Sequence, residues 1–382
     1  MYGLTPEQSD LFDLASEFGR EQLAPYALEW DLKKHFPIEV LRHAGELGMG
    51  GIYVREDVGG SGLSRLDAAL IIEGLAYGCP SVASYISIHN MVAGMIDRYG
   101  TDEQRRRWLP GLCSMNRLGS YCLTEAEAGS DAAALRTRAV RDGDAYVLNG
   151  TKQFISGSGS SGVYVVMART SDTGASGITA FVVEDETPGL TFGAEEVKMG
   201  WNAQPTREVR FDDVRVPADH VLDSEGAGFR IAMSGLDGGR VNIAASSLGG
   251  AQAAYEKALG YVEQRQAFGQ KVAEFQANQF RIADMATELE AARLLLHRAA
   301  QAIDDADPRA TELCAMAKRH VTDACFDIAN DALQLHGGYG YLHEYGIEKI
   351  VRDLRVHQIL EGTNEIMRVI ISRAQRAPKV AS

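Results

Sequence analysis

Apolar residues near the start of the chain recur at the spacing of one helix face. Leu11, Ala15 and Phe18 follow Thr5, a favoured N-cap residue, and Gln8 completes the spacing of a capping box. This pattern predicts a first helix that begins just after Thr5. The same spacing predicts further helices over 38–47, 66–77 and 81–98. We therefore expect residues 1–115 to form an N-terminal all-α domain.

From about residue 117 the pattern changes to short apolar runs. Those at 163–167 and 178–183 have the length of buried strands, and turn-forming clusters at 141–144 and 171–174 separate such runs. Short strands with frequent turns are typical of all-β domains. Residues 116–223 are therefore predicted to form a central β-barrel-like domain.

Beyond residue 224 the apolar period is again helical, and the periodic runs are much longer. The expected helices are 228–264, 275–303, 309–335, 345–353 and 364–375. Long helices with short connections are typical of antiparallel bundles. Residues 224–382 are therefore predicted to form an antiparallel four-helix bundle, and the fold class is α+β with three domains.

Composition narrows the possible functions. The chain has 382 residues, of which 45% are hydrophobic and 24% are charged, a balance that excludes a disordered or fibrous protein. Lys and Arg number 38 against 52 Asp and Glu, so the formal net charge is −14. Because phosphate-rich partners need a basic surface, the charge argues against nucleic acid and anionic membranes.

The cysteines and the lengths of the apolar runs indicate in which cellular compartment the protein is expected. Five cysteines are scattered without a CxxC pair, and the histidines lack metal-ligand spacing, so no metal site is predicted. No apolar run reaches the about 18 residues of a membrane span. The first residues lack the basic region of a signal peptide. We expect a protein of the cytoplasm.

Three segments have more than one interpretation from their residues alone. Residues 157–162 match GxGxxG, but a strand-like run follows them, which favours a β-hairpin turn over a dinucleotide-binding loop. Residues 334–340 end a predicted helix, so a glycine C-cap is favoured over close approach to a phosphate group. Residues 124–131 are either a polar loop or a set of backbone N–H groups that face an anion.

Glu361 is the carboxylate that the pattern singles out. It follows an apolar stretch and precedes Gly362 and a predicted helix. Burial beside an apolar wall raises a carboxyl pKa, whereas a helix N-terminus lowers it, and such a group can act as a general base. By position alone, a Glu at the start of a helix is more often a cap. Spacing alone leaves both roles open.

Taken together, five segments resemble the acyl-CoA dehydrogenase family, in its order and at its spacing. They are 121–131, 152–156, 265–269, 334–340 and 360–365. The resemblance covers essentially the whole chain and implies the α–β–α architecture that the apolar pattern predicts. It also implies an FAD cofactor, bound partly at a subunit interface of a homotetramer.

The resemblance implies roles for individual residues. The residues in FAD-contacting positions are Tyr121, Cys122, Leu123, Thr124, Gly129, Ser130, Phe154, Ile155, Ser156, Arg265, Phe275, Gln276, Gln334, Leu335, His336, Gly337, Gly338, Thr363, Asn364 and Glu365. Arg265, Phe275 and Gln276 are similar to residues that reach the FAD of a neighbouring subunit. The residues in acyl-CoA-contacting positions are Ser130, Asp237, Gly238, Gly239, Arg240 and Arg373.

Glu361 matches the catalytic base of most branches of the family. Some branches place the base one residue before the position of Arg240, where this chain has Gly239 and thus no side chain. One departure affects the flavin loop, because the family usually has Pro-Gly where this chain has Ala126-Glu127. Without Pro the φ angle is no longer fixed, and without Gly a positive φ is disfavoured, so the shape of the loop is open.

The resemblance also implies a reaction and its partners. The stretches 200–207, 237–244 and 357–362 are most similar to the branch that acts on isobutyryl-CoA. The expected reaction is FAD-dependent conversion of isobutyryl-CoA to methacrylyl-CoA in valine breakdown, with an electron-transfer flavoprotein as acceptor. The alternatives are a dehydrogenase for 2-methylbutyryl-CoA or short straight-chain acyl-CoA, an acyl-CoA oxidase, and a DNA-binding flavoprotein of the same fold.

Overall fold

The computed structural model describes residues 3–376, and helices make up its first part. They are α1 (Pro6–Phe18), α2 (Ala27–Lys33), α3 (Ile38–Glu46), α4 (Arg65–Gly78), α5 (Pro80–Tyr99) and α6 (Asp102–Cys113). The predicted capping box at Thr5 and Gln8 is confirmed. The same device starts α4 at Ser64 and α6 at Thr101. Residues 1–2 and 377–382, at the ends of the first and third predicted domains, lie outside the described residues.

Within residues 3–376, seven strands form one curled, mixed sheet in the centre of the chain. They are β1 (Gly119–Cys122), β2 (Arg138–Asp142), β3 (Ala145–Ser156), β4 (Val163–Arg169), β5 (Ile178–Glu184), β6 (Leu190–Phe192) and β7 (Thr206–Pro217). The strand order is β1-β4-β2-β3-β7-β6, and β5 pairs with β4. The strand β1 runs parallel to β4, with Tyr121 opposite Val165.

The prediction of a hairpin turn at residues 157–162 is wrong. The strands β3 and β4 flank this segment, but they are not paired in the part of the chain that the structure describes; β4 pairs with β1, β2 and β5 instead. The GxGxxG segment therefore carries the chain from one part of the sheet to another. The apolar runs on either side of this segment correctly predicted two strands. They did not predict which strands pair, because strand pairing depends on residues that are distant in the chain.

The last part of the chain is again helical. Its elements are α7 (Gly228–Gln264), β8 (Gln266–Ala267), β9 (Gln270–Lys271), α8 (Gln276–Asp304), α9 (Ala310–His336), α10 (Ile347–Arg355) and α11 (Asn364–Arg376). The helix α9 packs against α7, α8 and α11, and α7 also packs on α4. Gly249 permits that last contact, because a Cβ there would overlap the carbonyl oxygen of Glu73. The boundaries near residues 115 and 223 stay predictions.

A buried network around Asp353 connects all three parts. Its carboxylate lies 2.6 Å from the Lys349 ammonium and accepts a 2.6 Å hydrogen bond from the backbone N–H of Trp201. Arg352, next in the chain, forms an ion pair at 2.6 Å with Asp31 of α2. The network joins α2, the segment before β7 and α10, so it fixes how the parts pack.

The five cysteines are all free and buried: Cys79, Cys113, Cys122, Cys314 and Cys325. Burial raises the pKa of each thiol, to about 11 for Cys113 and about 12 for Cys122 and Cys314. Between residues 3 and 376, none of the helices is both long and apolar enough to cross a membrane.

Candidate active site

Glu361 lies in the short connection between α10 and α11. Its φ angle is +55°, and that of Gly362 is +89°, so two consecutive residues are left-handed. For a residue with a Cβ this conformation costs on the order of 1 kcal/mol or more, and it persists only where the surroundings enforce it. Arg240 of α7 supports the turn by donating from Nε to the carbonyl oxygen of Glu361 at 3.3 Å. The strain is a sign that the direction of this side chain matters.

The Glu361 carboxylate faces Gly239 of α7. A Cβ at Gly239 would lie 2.5 Å from Oε2 of Glu361, so only glycine leaves the carboxylate in place. Although Glu361 as a whole is partly exposed, its Oε2 atom is buried and has no hydrogen-bond partner among residues 3–376. An unpaired buried carboxylate oxygen is unfavourable for stability and free to accept a proton.

Burial sets the electrostatics of this carboxylate. Desolvation raises the pKa of Glu361 to about 7, although the charges of Arg240 and Lys318 act in the opposite direction. The hydroxyl of Tyr121 is buried too, and within the described chain it has no hydrogen-bond partner. Its pKa is raised by burial and by the charge of Glu361. A carboxylate whose pKa lies near neutrality suits general-base chemistry.

The alternative role of Glu361 as a helix cap is wrong. The hydroxyl of Thr363 accepts a 3.3 Å hydrogen bond from the backbone N–H of Ile366 and so caps α11. Asn364 is buried and Glu365 is exposed on the first turn. Three residues of this segment are predicted to contact FAD. Two of them also have structural partners within the chain: Thr363 caps α11, and the amide of Asn364 donates a hydrogen bond to Thr322.

Lys318 is a neighbour of this site that the sequence reasoning missed. It lies on α9, is fully buried, and donates from Nζ to Gly362 O and Asn364 Oδ1, both at 2.8 Å. The signal was present, because Lys318 falls on the apolar stripe of α9 between Cys314 and Val321. A lysine on a buried stripe needs a specific partner.

The residues predicted to contact acyl-CoA are mostly together on one turn of α7. Arg240 forms an ion pair with Asp237 at 2.7 Å, and Thr311 of α9 donates to the other carboxylate oxygen of Asp237 at 2.7 Å. Gly238 and Gly239 complete the group. Arg373 lies exposed on α11, and no hydrogen bond within residues 3–376 connects it with the α7 group.

The sheet brings together the predicted flavin segments of β1 and β3. The backbone N–H of Gln153 donates to Thr124 O at 2.8 Å, and Ser120 Oγ donates to Ser156 O at 2.6 Å. Phe154 has φ +60° and is 61% exposed, which is unusual for an aromatic side chain. The remaining predicted residues of the sheet domain are Tyr121 and Cys122 on β1, Ile155 on β3, and Leu123, Gly129 and Ser130 on the loop after β1.

The loop that departs from the family pattern forms a regular turn. Glu125 and Ala128 exchange backbone hydrogen bonds of 3.2 and 3.1 Å, with neither Ala126 nor Glu127 at positive φ. The Glu125 carboxylate accepts from the Lys152 ammonium at 2.8 Å, and thus fixes the base of the turn. The sequence here is compatible with a tight turn without Pro or Gly.

A second group of predicted residues lines a cavity of about 520 Å³ at the end of α9. The predicted residues in its wall are Arg265, Gln334, Leu335, His336, Gly337 and Gly338. Gly337 has φ +59° and ends α9, so the C-cap interpretation is confirmed. Phe275 and Gln276 start α8 nearby, and the Phe275 ring meets the edge of Phe268, whose side chain is 97% exposed.

Comparison with known proteins identifies the family of the chain. The family models described as the acyl-CoA dehydrogenase N-terminal, middle and C-terminal domains match residues 5–116, 120–214 and 226–375. The chain belongs to the acyl-CoA dehydrogenase family. It is an FAD-dependent oxidoreductase of that family, and its three-part fold is the family fold.

Individual members of the family are also similar to this chain. The chain is 54% identical to a protein of Dictyostelium discoideum and 52% identical to one of Bos taurus, both named "Isobutyryl-CoA dehydrogenase, mitochondrial". Each match covers 97% of this chain and 89% of the relative. The solved structure of butyryl-CoA dehydrogenase from Megasphaera elsdenii superposes with a TM-score of 0.95 at 40% identity, over 98% of this chain and 99% of that one.

The residues present fit an FAD group. The cavity at the end of α9 combines the cationic Arg265 with Gly337 and Gly338, and a Cβ at either glycine would meet open space in the described chain. In the sheet domain, Phe154 offers an exposed aromatic face and Tyr121 an unpaired buried hydroxyl. Cationic and glycine-rich surfaces suit phosphates, and aromatic surfaces suit a flavin ring.

Proposed function

We propose that this chain oxidises a short branched acyl-CoA, with isobutyryl-CoA converted to methacrylyl-CoA in valine degradation. The observation that carries the proposal is the Glu361 carboxylate, whose Oε2 atom is buried, unpaired within the described residues and turned toward Gly239. A thioester lying between α7 and the sheet would present its α-carbon to that oxygen. The high identity to the two relatives supports the acyl group chosen.

In the proposed mechanism Glu361 removes the α-proton. The raised pKa of Glu361, about 7, makes the carboxylate a stronger base than an exposed one, and burial excludes competing water. Arg240 keeps the turn in place through its bond to Glu361 O, while Asp237 fixes the Arg240 guanidinium. When bound, FAD supplies the acceptor for the hydride that leaves the β-carbon, so that the α and β carbons become doubly bonded.

The binding roles of the other residues are proposals with the same basis. Ser130, Asp237, Gly238, Gly239, Arg240 and Arg373 would contact the acyl-CoA. FAD would be held by residues 121–124, 129–130, 154–156 and 363–365, and by the cavity residues around Arg265 and 334–338. The electron acceptor is proposed to be an electron-transfer flavoprotein. If the reduced FAD is reoxidised by that protein and not by O₂, the enzyme is a dehydrogenase. Rapid reoxidation by O₂ would instead identify an oxidase.

The substrate is tested by anaerobic stopped-flow bleaching of the flavin absorbance. We expect the highest kcat/KM with isobutyryl-CoA, followed by 2-methylbutyryl-CoA and butyryl-CoA. Pockets discriminate one methylene by only about 1–3 kcal/mol, so the ranking is expected to be graded. A higher kcat/KM for hexanoyl-CoA would overturn the branched-chain assignment while leaving the family intact.

We also propose a homotetramer. The support is the fully exposed Phe268 beside Phe275, and the open cavity that contains Arg265. Aromatic side chains are enriched at the interfaces between protein subunits. Sedimentation at assay concentration is the test, and an active monomer would contradict the proposal. A cytoplasmic location is proposed from the sequence, and cell fractionation would decide between it and the mitochondrial location named for the relatives.

A further inference from the structure

Lys318 differs from the other fully buried lysines of the chain in its partners. Lys152 is paired with Glu125 at 2.8 Å, and Lys349 with Asp353 at 2.6 Å. In the range 3–376, Lys318 forms no such ion pair, and its two hydrogen bonds go to neutral oxygens of residues 362 and 364. Burying an ammonium without a paired carboxylate is costly, so this arrangement needs a reason.

The hydrogen bonds of Lys318 hold the segment that contains Glu361. One goes to the carbonyl oxygen of Gly362, directly after the left-handed Glu361. The other goes to Asn364, whose amide donates to Thr322 Oγ1 at 2.9 Å and Asp323 Oδ1 at 2.6 Å. Because these bonds fix the Asn364 amide, its Oδ1 is aimed at Lys318. The start of α11 is thereby fixed on α9.

Charge connects Lys318 with the carboxylate without direct contact. Burial lowers the pKa of Lys318 to about 7, while the charge of Glu361 is the strongest influence in the opposite direction. The other charged groups facing Lys318 are Arg240, Asp323 and Glu365, and the buried His357 imidazole also faces it, with a pKa lowered to about 3 by burial and by the charge of Lys318. Those facing Glu361 are Arg240 and Lys318, with the Tyr121 hydroxyl nearby. The two charges therefore stabilise each other, although the two side chains form no ion pair.

We infer that Lys318 is a positioning residue for the carboxylate of Glu361. It anchors the turn through Gly362 and Asn364, and its ammonium charge favours the ionised form of the carboxylate. The inference rests on the proposed role of Glu361 as the base. Removing the charge would leave more of Glu361 protonated, so flavin reduction would require a higher pH.

The test is the pH dependence of kcat/KM for isobutyryl-CoA, which reports the ionisations of the free enzyme. We compare the holoenzyme with Lys318→Met, Lys318→Gln and Lys318→Arg. The acidic limb is the part of the profile in which kcat/KM falls as the pH is lowered. Loss of the charge in the Met and Gln variants is expected to shift the acidic limb to higher pH by about 1 unit, since a nearby opposite charge lowers a carboxyl pKa by about 1–3 units. The Arg variant is expected to keep the limb close to wild type.

Lys349→Met is the matched control, because it removes another buried ammonium from the same helical region. It is expected to lower the thermal midpoint without moving the acidic limb. The inference is overturned if Lys318→Gln keeps the wild-type limb, or if Lys318→Arg moves it as far as Lys318→Gln. Should Lys318→Met not fold, the Gln and Arg variants decide the question.

Failure of this inference and failure of the proposed function have different signatures. If Glu361→Gln still reduces the flavin at close to the wild-type rate, the proposed base is wrong. If that variant is inactive while Lys318→Gln retains the wild-type limb, only the role of Lys318 is wrong.

Discussion

Two carboxylates lie within residues 353–361, and their surroundings are opposite. Asp353 is completely buried and has two partners, the Lys349 ammonium and the backbone N–H of Trp201. Glu361 has a buried oxygen with no partner among the described residues, on a left-handed backbone. The difference teaches that pairing, and not burial alone, separates a structural carboxylate from one available to accept a proton.

The largest expected effect is on catalysis, through Glu361→Gln. The amide has nearly the shape of the carboxylate but cannot accept the α-proton, so flavin reduction is expected to fall by about 10²–10⁴-fold. Anaerobic stopped-flow with isobutyryl-CoA measures the rate, and flavin absorbance reports retention of FAD. Glu103→Gln, an exposed change on α6, is expected to leave the rate unchanged. Similar rates for the two variants would falsify the role of Glu361.

The corresponding change at Asp353 is expected to act on stability. Asp353→Asn leaves the Lys349 ammonium buried without a carboxylate, and breaking such a pair costs about 3–5 kcal/mol in free energy of unfolding. Urea denaturation of the holoenzyme measures the loss. Glu29→Gln, which breaks the exposed pair with Lys33, is expected to leave the midpoint unchanged. Equal midpoints for the two variants would remove the distinction between the two carboxylates.

Gly239→Ala tests the space in front of Glu361. The new Cβ would displace the carboxylate, and flavin reduction is expected to fall by about 10–100-fold. Gly260→Ala is the matched control, because it lies in the same helix and its Cβ would meet open space in the described chain. Both changes favour the helix by about 0.5–1 kcal/mol, so only Gly239→Ala should lose activity. Comparable rates for both variants would show that the close approach is unimportant.

The smallest expected effect is the pH dependence of stability at Glu361. Its pKa is raised from 4.5 to about 7 on folding, so the stability it contributes is complete below pH 4.5 and is lost as pH rises toward 7. The Gln variant does not ionise. It should therefore gain stability relative to wild type between pH 5 and pH 8, by on the order of 1 kcal/mol. Thermal midpoints at both pH values test this, and a constant difference would contradict the buried, unpaired carboxylate.

The helices were predictable because their signals are local. The helix α7 begins and ends where its apolar period does, and the capping box at Thr5 was readable from two residues. The partners of β4 were not predictable, since its parallel pairing with β1 joins residues distant in the chain. The local pattern of apolar residues predicts helices and strands, whereas the pairing of strands depends on the whole fold.

The candidate site shows the same division. Glu361 could be singled out because an apolar stretch precedes it and Gly362 and a helix follow it. The family resemblance then implied its role as the base. Lys318 did not, because its contacts with Gly362 and Asn364 arise only when α9 packs beside the turn. Similarly, Gly239 was read as a missing side chain, and the structure adds that this gap is where the Glu361 carboxylate lies.

The buried cysteines have a practical consequence for chemical labelling. A thiol reacts as its thiolate, and all five of these thiols are shielded and held protonated by burial. The folded protein should therefore react slowly with maleimides and resist oxidation in air. One cysteine introduced on an exposed helix face would then carry a dye or spin label selectively, without prior removal of the native thiols.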